Sequence, residues 1–291
     1  MVDLETLAAL DGLLWLRTGE AAADKLALSQ PSISRRAKAA QTVFEVSSKK
    51  IDGEWDLLSD ADLLNAERRV HQLARWKGLA ALRLEASYWW EPMLTQASPP
   101  GWMVGLCNIV GVPRNLELLR LGIVDAWIAP APDVPAQSDA DFCTLPLSAM
   151  PVHCVVAPNH PLLKKSELSF DDLEGFPSLA LPSGAYPQVE IALKAVGLWS
   201  SPVRMQRYTP NQWEGRSEAE LTIGYATAMS LDLLGGSLVK LPLTLPLQSG
   251  DSLVLKRAFA ERPQVAPLVA ELRQRLQVIQ QRWPEIRLYS P

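Results

Sequence analysis

Residues 22–35 of the chain read AADKLALSQPSISR, and this stretch decides the fold of the N-terminal part. Residues 20–26 are rich in alanine, which favours a short helix. Ser29 is a residue type that caps helices, and Pro31 is tolerated in a first turn because its missing N–H would have no partner inside the helix. The stretch therefore predicts two helices in close succession, the second over residues 30–40.

The flanking sequence completes a small domain. Four leucines at helical spacing predict a first helix over residues 4–16. Behind the third helix, residues 49–51 and 54–57 flank an Asp-Gly pair, which is the strongest short signal for a hairpin turn. Three short helices and a two-stranded wing predict a winged helix-turn-helix over residues 1–58.

A long helix is predicted to begin at residues 59–62, which resemble a capping box, and to end near Gly78. Its apolar residues alternate in steps of four and three, broken only by Lys77: Leu63, Ala66, Val70, Leu73 and Ala80. Such a seam favours a partner helix from a second subunit, although packing against the protein's own body would also satisfy it. Residues 59–79 are therefore interpreted as a linker and dimerisation helix.

Strands and helices alternate through the rest of the chain. Strands are predicted near residues 82–85, 104–109, 122–128, 151–157 and 178–181, with 221–226 as a strand or a helix-to-strand junction. Helical segments are predicted near residues 88–96, 115–121, 171–173, 189–196 and 265–283. This alternation predicts an α/β sheet architecture.

Charge is distributed unevenly along the chain. Its 291 residues are enough for two domains, and the net charge is −4. Residues 17–50 carry seven basic and three acidic side chains, so this segment is +4 and the remainder −8. A basic module on an acidic body suits a DNA reader with a separate sensor, although dispersed charges also suit solvated helix faces. The lack of an apolar run of ~20 residues and of a signal peptide predicts a cytoplasmic protein without membrane contact.

The sequence offers little for catalysis or metal binding. It has no Gly-rich phosphate loop, no Gly-x-Ser-x-Gly elbow and no histidine with an evident catalytic partner, so we expect neither an enzyme nor a cofactor. Ser183, in a Pro-Ser-Gly turn, could be a nucleophile, but nothing supplies a base beside it. His153 and its neighbour Cys154 fit a buried strand better than a zinc site. The cysteines are odd in number and far apart, which argues against a disulfide framework: Cys107, Cys143 and Cys154.

Along nearly its whole length the chain resembles the LysR-type transcriptional regulators. Residues 22–35 carry the most specific match, with an Ala-Ala pair, a leucine and the run Ser-Gln-Pro-Ser-x-Ser-Arg. Residues 155–162 resemble the family's strand and hinge, residues 168–175 the segment that follows, and residues 182–184 a turn lining the effector cleft. The resemblance implies an effector-binding domain over residues 80–291, similar to a periplasmic binding protein, in which two α/β subdomains joined by two crossing segments hold a ligand.

For the N-terminal part, the resemblance implies that the third helix enters the major groove and presents its first residues to base edges. Gln can pair with adenine, Arg with guanine, and Ser with bases or phosphates. The candidate DNA-contacting residues are Gln30, Pro31, Ser32, Ser34, Arg35, Arg36, Lys38, Lys49 and Lys50. The last four are assigned to phosphates, which add affinity without sequence information.

For the sensor, the resemblance implies a ligand held at strand ends and helix N-termini. By position, the candidate effector-binding residues are Ser87, Tyr88 and Asn108 on one side of the cleft and Ser183 and Tyr225 on the other. Three arginines could offer charge to an anion: Arg114, Arg204 and Arg207. The ten tryptophans are expected in cores and interfaces, with an aromatic-lined pocket for a flat ligand as the alternative.

The main hypothesis is a transcription regulator controlled by a small-molecule effector. Dimers pair through the linker helices, two dimers join into a tetramer through the sensors, and each dimer reads a partly palindromic site in double-stranded DNA. The effector then shifts the spacing of the DNA modules, and thereby DNA bending or contact with RNA polymerase.

Several departures from the family support an alternative. Gly19 stands where an aromatic residue is usual, the first sensor helix from Tyr88 is short, and residues 208–224 are shorter than usual, which could narrow or close the cleft. Glu54 and Asp56 also bring negative charge into the wing. The alternative is a degenerate or solute-binding sensor module that acts without DNA binding.

Overall fold

A computed structural model describes residues 1–88, 94–219, 221–234 and 237–290. The chain begins with three helices and a hairpin: α1 (Leu4–Leu16), α2 (Gly19–Leu26), α3 (Gln30–Val43), β1 (Ser48–Ile51) and β2 (Glu54–Leu57). The predicted helices and hairpin are confirmed, with α3 three residues longer than expected. Each helix is capped by a side-chain oxygen that accepts a hydrogen bond from the amide three residues later: Asp3, Thr18 and Ser29.

The hairpin turn depends on its glycine. Asp52 and Gly53 both have positive φ angles, 49° and 88°, which gives the turn a twist that matches its strands. A Cβ at Gly53 would lie 2.4 Å from a guanidinium nitrogen of Arg17. Arg17 donates its Nε–H to the Gly53 carbonyl at 2.8 Å, so this tight turn is tied to the end of α1.

Helix α4 (Asp62–Trp76) buries its polar face and exposes its apolar one. Arg68 and Arg75, both buried, form ion pairs with Asp11 of α1 and with Asp125, at 2.9 and 2.7 Å. On the other face lies the predicted apolar seam, where Leu63, Val70 and Leu73 are 66%, 54% and 42% exposed. The chain's own body therefore takes the polar face and leaves the seam open.

The start of α4 differs from the prediction. The N-cap position is Ala61, which has no side-chain capping bond, so the expected capping box is absent. Asp60 instead accepts a hydrogen bond from the amide of Asp62 at 3.1 Å. The reason is local: the amide of Asp62 is already bound by the carboxylate of Asp60, so it is not available for a capping box.

The remaining elements combine strands and helices. They follow in the order β3 (Leu82–Ala86), β4 (Trp102–Val104), α5 (Val112–Arg120), β5 (Ala126–Ala131), β6 (Phe142–Val156), β7 (Leu179–Ala180), α6 (Pro187–Lys194), β8 (Ser201–Pro202), α7 (Pro210–Ala219), β9 (Gly224–Ala226), α8 (Ala228–Leu234), β10 (Val239–Lys256), α9 (Val265–Arg282) and β11 (Arg287–Leu288). Short 3₁₀ turns occur at Pro161–Lys164, Asp171–Leu173 and Arg257–Phe259. The mixed α/β architecture is as predicted.

One large sheet runs in the order β11-β6-β10-β5-β3-β4, and β9 pairs with β6. Strand β3 is parallel to β4 and β5, whereas β10 is antiparallel to β5 and β6. The long strands β6 and β10 pass between two lobes. We call β3, β4, β5, α5 and α9 lobe 1, and β7, β8, β9, α6 and α7 lobe 2.

Most predicted strands are present, with shifted bounds. The strand predicted at residues 104–109 corresponds to β4, which lies earlier and ends at Val104. The strand predicted at residues 151–157 is the second half of β6, which begins at Phe142. The alternation at 82–85 does not separate buried from exposed residues, since Arg83 and Glu85 are also buried. Both find polar partners inside the protein, so burial does not follow residue type here. The helix expected at residues 88–96 lies largely outside the described residues.

The N-terminal helices share one hydrophobic core with the large sheet. Leu10, Trp15 and Ile33 are at most 1% exposed and belong to the same cluster as Trp127 of β5 and Val254 of β10. Burial of such side chains contributes roughly 2–3 kcal/mol each. The three-helix unit is therefore packed directly on lobe 1.

Candidate nucleic-acid interface and ligand cavity

The N-terminal end of α3 is an open polar surface. Gln30, Pro31, Ser34 and Arg35 are exposed and Ser32 is half-buried. Arg35 donates a long hydrogen bond, 3.4 Å, to the Ser32 hydroxyl, which is itself 2.9 Å from the Ser29 hydroxyl. The bond of Arg35 is long and the side chains of Gln30 and Ser34 are exposed, so these groups can be redirected to a ligand.

Gly19 gives Gln30 its position. A Cβ at Gly19 would lie 3.2 Å from Cγ and 3.3 Å from Nε2 of Gln30. The Gln30 side chain therefore rests on the start of α2, in space that a side chain at residue 19 would take. The unusual glycine is thus compatible with normal packing of α2 against α3.

The predicted phosphate-binding residues fall into two groups. Lys38, Lys49 and Lys50 are exposed. Arg36 instead lies against α1, where it pairs with Glu5 at 2.6 Å and with Asp3 at 3.7 Å. Its charge is therefore already partly neutralised within the protein.

The two acidic residues of β2 contact arginines of the body. Glu54 is 8% exposed and accepts two hydrogen bonds from Arg207, both 2.7 Å. Asp56 lies 3.5 Å from Arg114, which also donates to the carbonyl of Trp55 at 3.0 Å. Lys49 and Lys50 of β1 and Asp52 of the turn remain exposed on the hairpin.

A cavity of about 140 Å³ lies between the two lobes. Of the five predicted effector residues, Tyr88 and Tyr225 line it. Ser87 is buried outside the wall, Ser183 is exposed, and Asn108 accepts a hydrogen bond from Arg207 at 2.9 Å.

Most of the aromatic wall was not predicted. It includes Tyr186, Trp199, Tyr208 and Trp213, with Val110, Met205 and several other apolar residues. The rings of Tyr88 and Tyr208 stack with an interplanar angle of 6°. The high tryptophan count was the signal that could have indicated this wall.

Burial keeps two tyrosines of the wall neutral. Burial raises the pKa of Tyr186 to about 12, and burial also raises the pKa of Tyr225. The buried hydroxyl of Tyr225 has no hydrogen bond of good geometry within the described residues, although Ser178 and the backbone of Trp199 lie close by. Because this oxygen has almost no accessible surface, Tyr225 offers its ring rather than its hydroxyl to the cavity.

The N-terminus of α6 borders the cavity and is already occupied. The carboxylate of Asp133 accepts hydrogen bonds from the amides of Gln188 at 2.7 Å and Val189 at 3.1 Å. Burial raises the pKa of Asp133 although these two bonds oppose the shift. Val189 and Tyr186 at this end of the helix line the cavity.

A short segment joins the cavity wall to the hairpin. Met205 and Tyr208 line the cavity, whereas Arg207 between them points to Glu54. Arg207 also donates to the carbonyl of Trp15 at 3.1 Å. We call the pair of Arg207 and Glu54 the latch; it links lobe 2 to the N-terminal unit.

Glu85 makes a second link, between α1 and lobe 1. Its carboxylate accepts hydrogen bonds from Trp15 Nε1 at 2.6 Å and from the amide of Cys107 at 2.9 Å. Burial raises the pKa of Glu85. A Cβ at Gly105 would lie 2.3 Å from this carboxylate, so the glycine makes room for it.

The described residues contain no cluster of three His, Cys, Asp or Glu side chains that could hold a metal ion. His153, considered above as a zinc ligand, lies 3.0 Å from Glu285. Its neighbour Cys154 is buried, which raises the pKa of its thiol to about 12. Over the same residues, none of the helices has the length and apolar character of a membrane span.

Comparison with known proteins gives one family match. A family model described as the LysR substrate binding domain matches residues 109–277, more than half of the chain. A comparison with curated proteins yields no match.

Solved structures of transcriptional regulators share the fold over nearly the full length. A variant of full-length OxyR from Pseudomonas aeruginosa is 18% identical, with a TM-score of 0.57, covering 94% of this chain and 95% of its own. CbnR in complex with its target DNA is 16% identical, with a TM-score of 0.53, covering 94% and 100%. ArgP from Mycobacterium tuberculosis is 16% identical, with a TM-score of 0.53, covering 94% and 97%. At these identities the likeness concerns the fold.

Proposed function

The chain belongs to the family of LysR-type transcriptional regulators, and from this premise we propose that it binds specific DNA sequences under the control of a small molecule in the cavity between its lobes. Residues 1–58 are the reader, residues 59–79 the linker and residues 80–291 the sensor. CbnR, which has a similar fold, has been solved in complex with its target DNA.

The open polar end of α3 is the observation that carries the proposal. Gln30, Ser34 and Arg35 stand exposed on the first turns of a helix, where a major-groove reader presents its base contacts. Lys49 and Lys50 on the hairpin add positive charge for the phosphate backbone. Glu54 is held by Arg207, and Asp56, although partly exposed, lies 3.5 Å from Arg114, so these pairings reduce the negative charge that the strand β2 presents to DNA.

The test is binding of the full-length protein to the DNA upstream of its own gene, followed by fluorescence anisotropy over a series of salt concentrations. Arg35→Ala should weaken binding by about tenfold or more, since a good base contact contributes roughly 1–3 kcal/mol. Arg36→Ala is the matched control, because that side chain is paired with Glu5 and should cost less.

The salt series distinguishes contacts to bases from contacts to phosphates. Lys50→Ala should reduce the slope of log affinity against log salt by about 1 without changing sequence preference. If the folded protein shows no salt-dependent binding to DNA, the reader role is refuted and the alternative, a sensor module that acts without DNA binding, is favoured.

The exposed seam of α4 supports self-association. Leu63, Val70 and Leu73 form an apolar stripe on a helix whose polar face is already buried. A second copy of the same helix would cover it, which gives a dimer with two readers, and contacts between sensors would join two dimers into a tetramer.

Light scattering tests the association of the 32.0 kDa chain. Val70→Glu should dissociate the dimer, whereas Val278→Glu, at a residue of α9 that is 63% exposed, is the matched control. A wild-type protein that is strictly monomeric at micromolar concentration would remove this part of the proposal.

The latch offers a route from the cavity to the reader. A ligand that displaces Met205 or Tyr208 must move Arg207, which holds Glu54 of the hairpin. Small shifts at a packed interface are amplified when the interface has two stable arrangements. The effector would thereby change the placement of the two readers on DNA, and with it DNA bending or contact with RNA polymerase.

A further inference from the structure

The described part of the cavity wall is uncharged. Its described lining residues include no Asp, Glu, Lys, Arg or His, and consist of aromatic and aliphatic side chains with a few hydroxyls and one amide. Moving a charged ligand from water into such a place costs far more free energy than moving a neutral one, because no opposite charge replaces its hydration.

The nearby arginines do not supply that charge. Arg207 is held by Glu54 and Asn108, and Arg114 by Glu117 and backbone carbonyls of the N-terminal unit. Arg204 is exposed and does not line the cavity. None of these three side chains points into the cavity, so the expectation that one of them binds an anionic effector there is not supported.

The helix end that could bind an anion is also taken. The amides of Gln188 and Val189, the first free donors of α6, both point to the carboxylate of Asp133. An anionic ligand at this end of the cavity would meet a like charge instead of open N–H groups. The protein has in effect filled this position with its own carboxylate.

The size of the cavity limits what it can hold. A volume of about 140 Å³ matches a single aromatic ring, since an apolar protein cavity of similar size binds benzene. The flat rings of Trp199 and Trp213 are suited to stack on such a molecule.

We propose that the effector is an uncharged molecule with one aromatic ring, bound between the lobes against the aromatic wall. This inference rests on the proposed sensor role of the cavity and adds the chemical class of its ligand. It also gives Asp133 the role of a specificity residue that disfavours anions.

Benzamide and benzoate are suitable probes, because they have nearly the same shape and differ in charge. Binding to the full-length protein is followed by calorimetry and by the quenching of tryptophan fluorescence. Wild-type protein should bind benzamide at least tenfold more tightly than benzoate. Asp133→Asn keeps an acceptor for the α6 amides and removes the charge, so it should narrow this ratio by raising affinity for benzoate.

Tighter binding of benzoate than of benzamide, or no saturable binding of either, overturns the proposal. DNA binding is measured on the same preparations, so a protein that binds DNA but not benzamide refutes the ligand class and leaves the reader role intact.

Discussion

Substitution of Glu54 by Gln tests whether the latch holds the N-terminal unit on the body. Glu54 and Arg207 are joined by two hydrogen bonds of 2.7 Å, and their side chains are only 10% and 5% exposed. Removal of one partner from a buried ion pair leaves an uncompensated charge and costs about 3–5 kcal/mol. Because Gln keeps one acceptor for Arg207, we expect the lower end, about 3 kcal/mol.

The loss should appear in the global stability, since the N-terminal helices share a core with lobe 1. For a chain of 291 residues, about 3 kcal/mol corresponds to a fall in Tm of roughly 5 °C, measured by circular dichroism. Glu261→Gln, at an exposed residue, should stay within about 0.5 kcal/mol of wild type.

A double-mutant cycle identifies the pair. Arg207→Gln alone should also destabilise, and the double variant should cost at least about 1 kcal/mol less than the sum of the single ones. If Glu54→Gln is no worse than Glu261→Gln, the latch does not form in solution, and the proposed route from cavity to reader fails with it.

Three further predictions concern buried and exposed charges. Asp125→Asn removes the buried partner of a guanidinium and should lower the free energy of unfolding by about 3–5 kcal/mol in urea titrations; a loss below about 1 kcal/mol would contradict the buried ion pair. Iodoacetamide at pH 8 should label Cys143 and spare Cys154, because burial raises the pKa of the Cys154 thiol to about 12; equal labelling by mass spectrometry would count against this burial. Lys165→Ala should raise the pKa of Asp172 from about 2 toward its ordinary 3.8 in a carboxyl NMR titration. The stability that ionised Asp172 contributes above pH 3.8, and that is lost as the pH falls to about 2, should then become smaller. An unchanged pKa would show that Lys165 is not the cause of the shift.

Local rules predicted the N-terminal elements well. Ser29 and Pro31 fix the start of α3 through contacts within one turn, and the Asp-Gly pair fixes the hairpin. Strand β10 was missed, because Pro242 and Pro246 argue against a strand. Both fall where the pairing of β10 with β6 shifts register, so the sheet accommodates them at irregular positions.

The residues of the cavity wall were predicted only where their position at the end of a strand was enough to place them there. Tyr88 and Tyr225 follow or lie on strands at the edge of the cleft, whereas Trp199 and Trp213 reach it from loop and helix positions in lobe 2. Arg207 finds its partner 153 residues away. Distances of this kind depend on how the lobes and the N-terminal unit pack together, and no local pattern carries that information.

The shared core has a consequence for the order in which the chain is synthesised. Helices α1 to α3 leave the ribosome long before Trp127, Arg207 and Val254, which complete their core and hold their hairpin. At about 5–20 residues per second, the wait between the hairpin and Val254 is roughly 10–40 s. During that time the apolar faces of these helices are open to other chains. A truncated polypeptide that lacks these residues would therefore have an incompletely packed, aggregation-prone N-terminal unit. Only chains that include Val254 are expected to hold the reader in its native position.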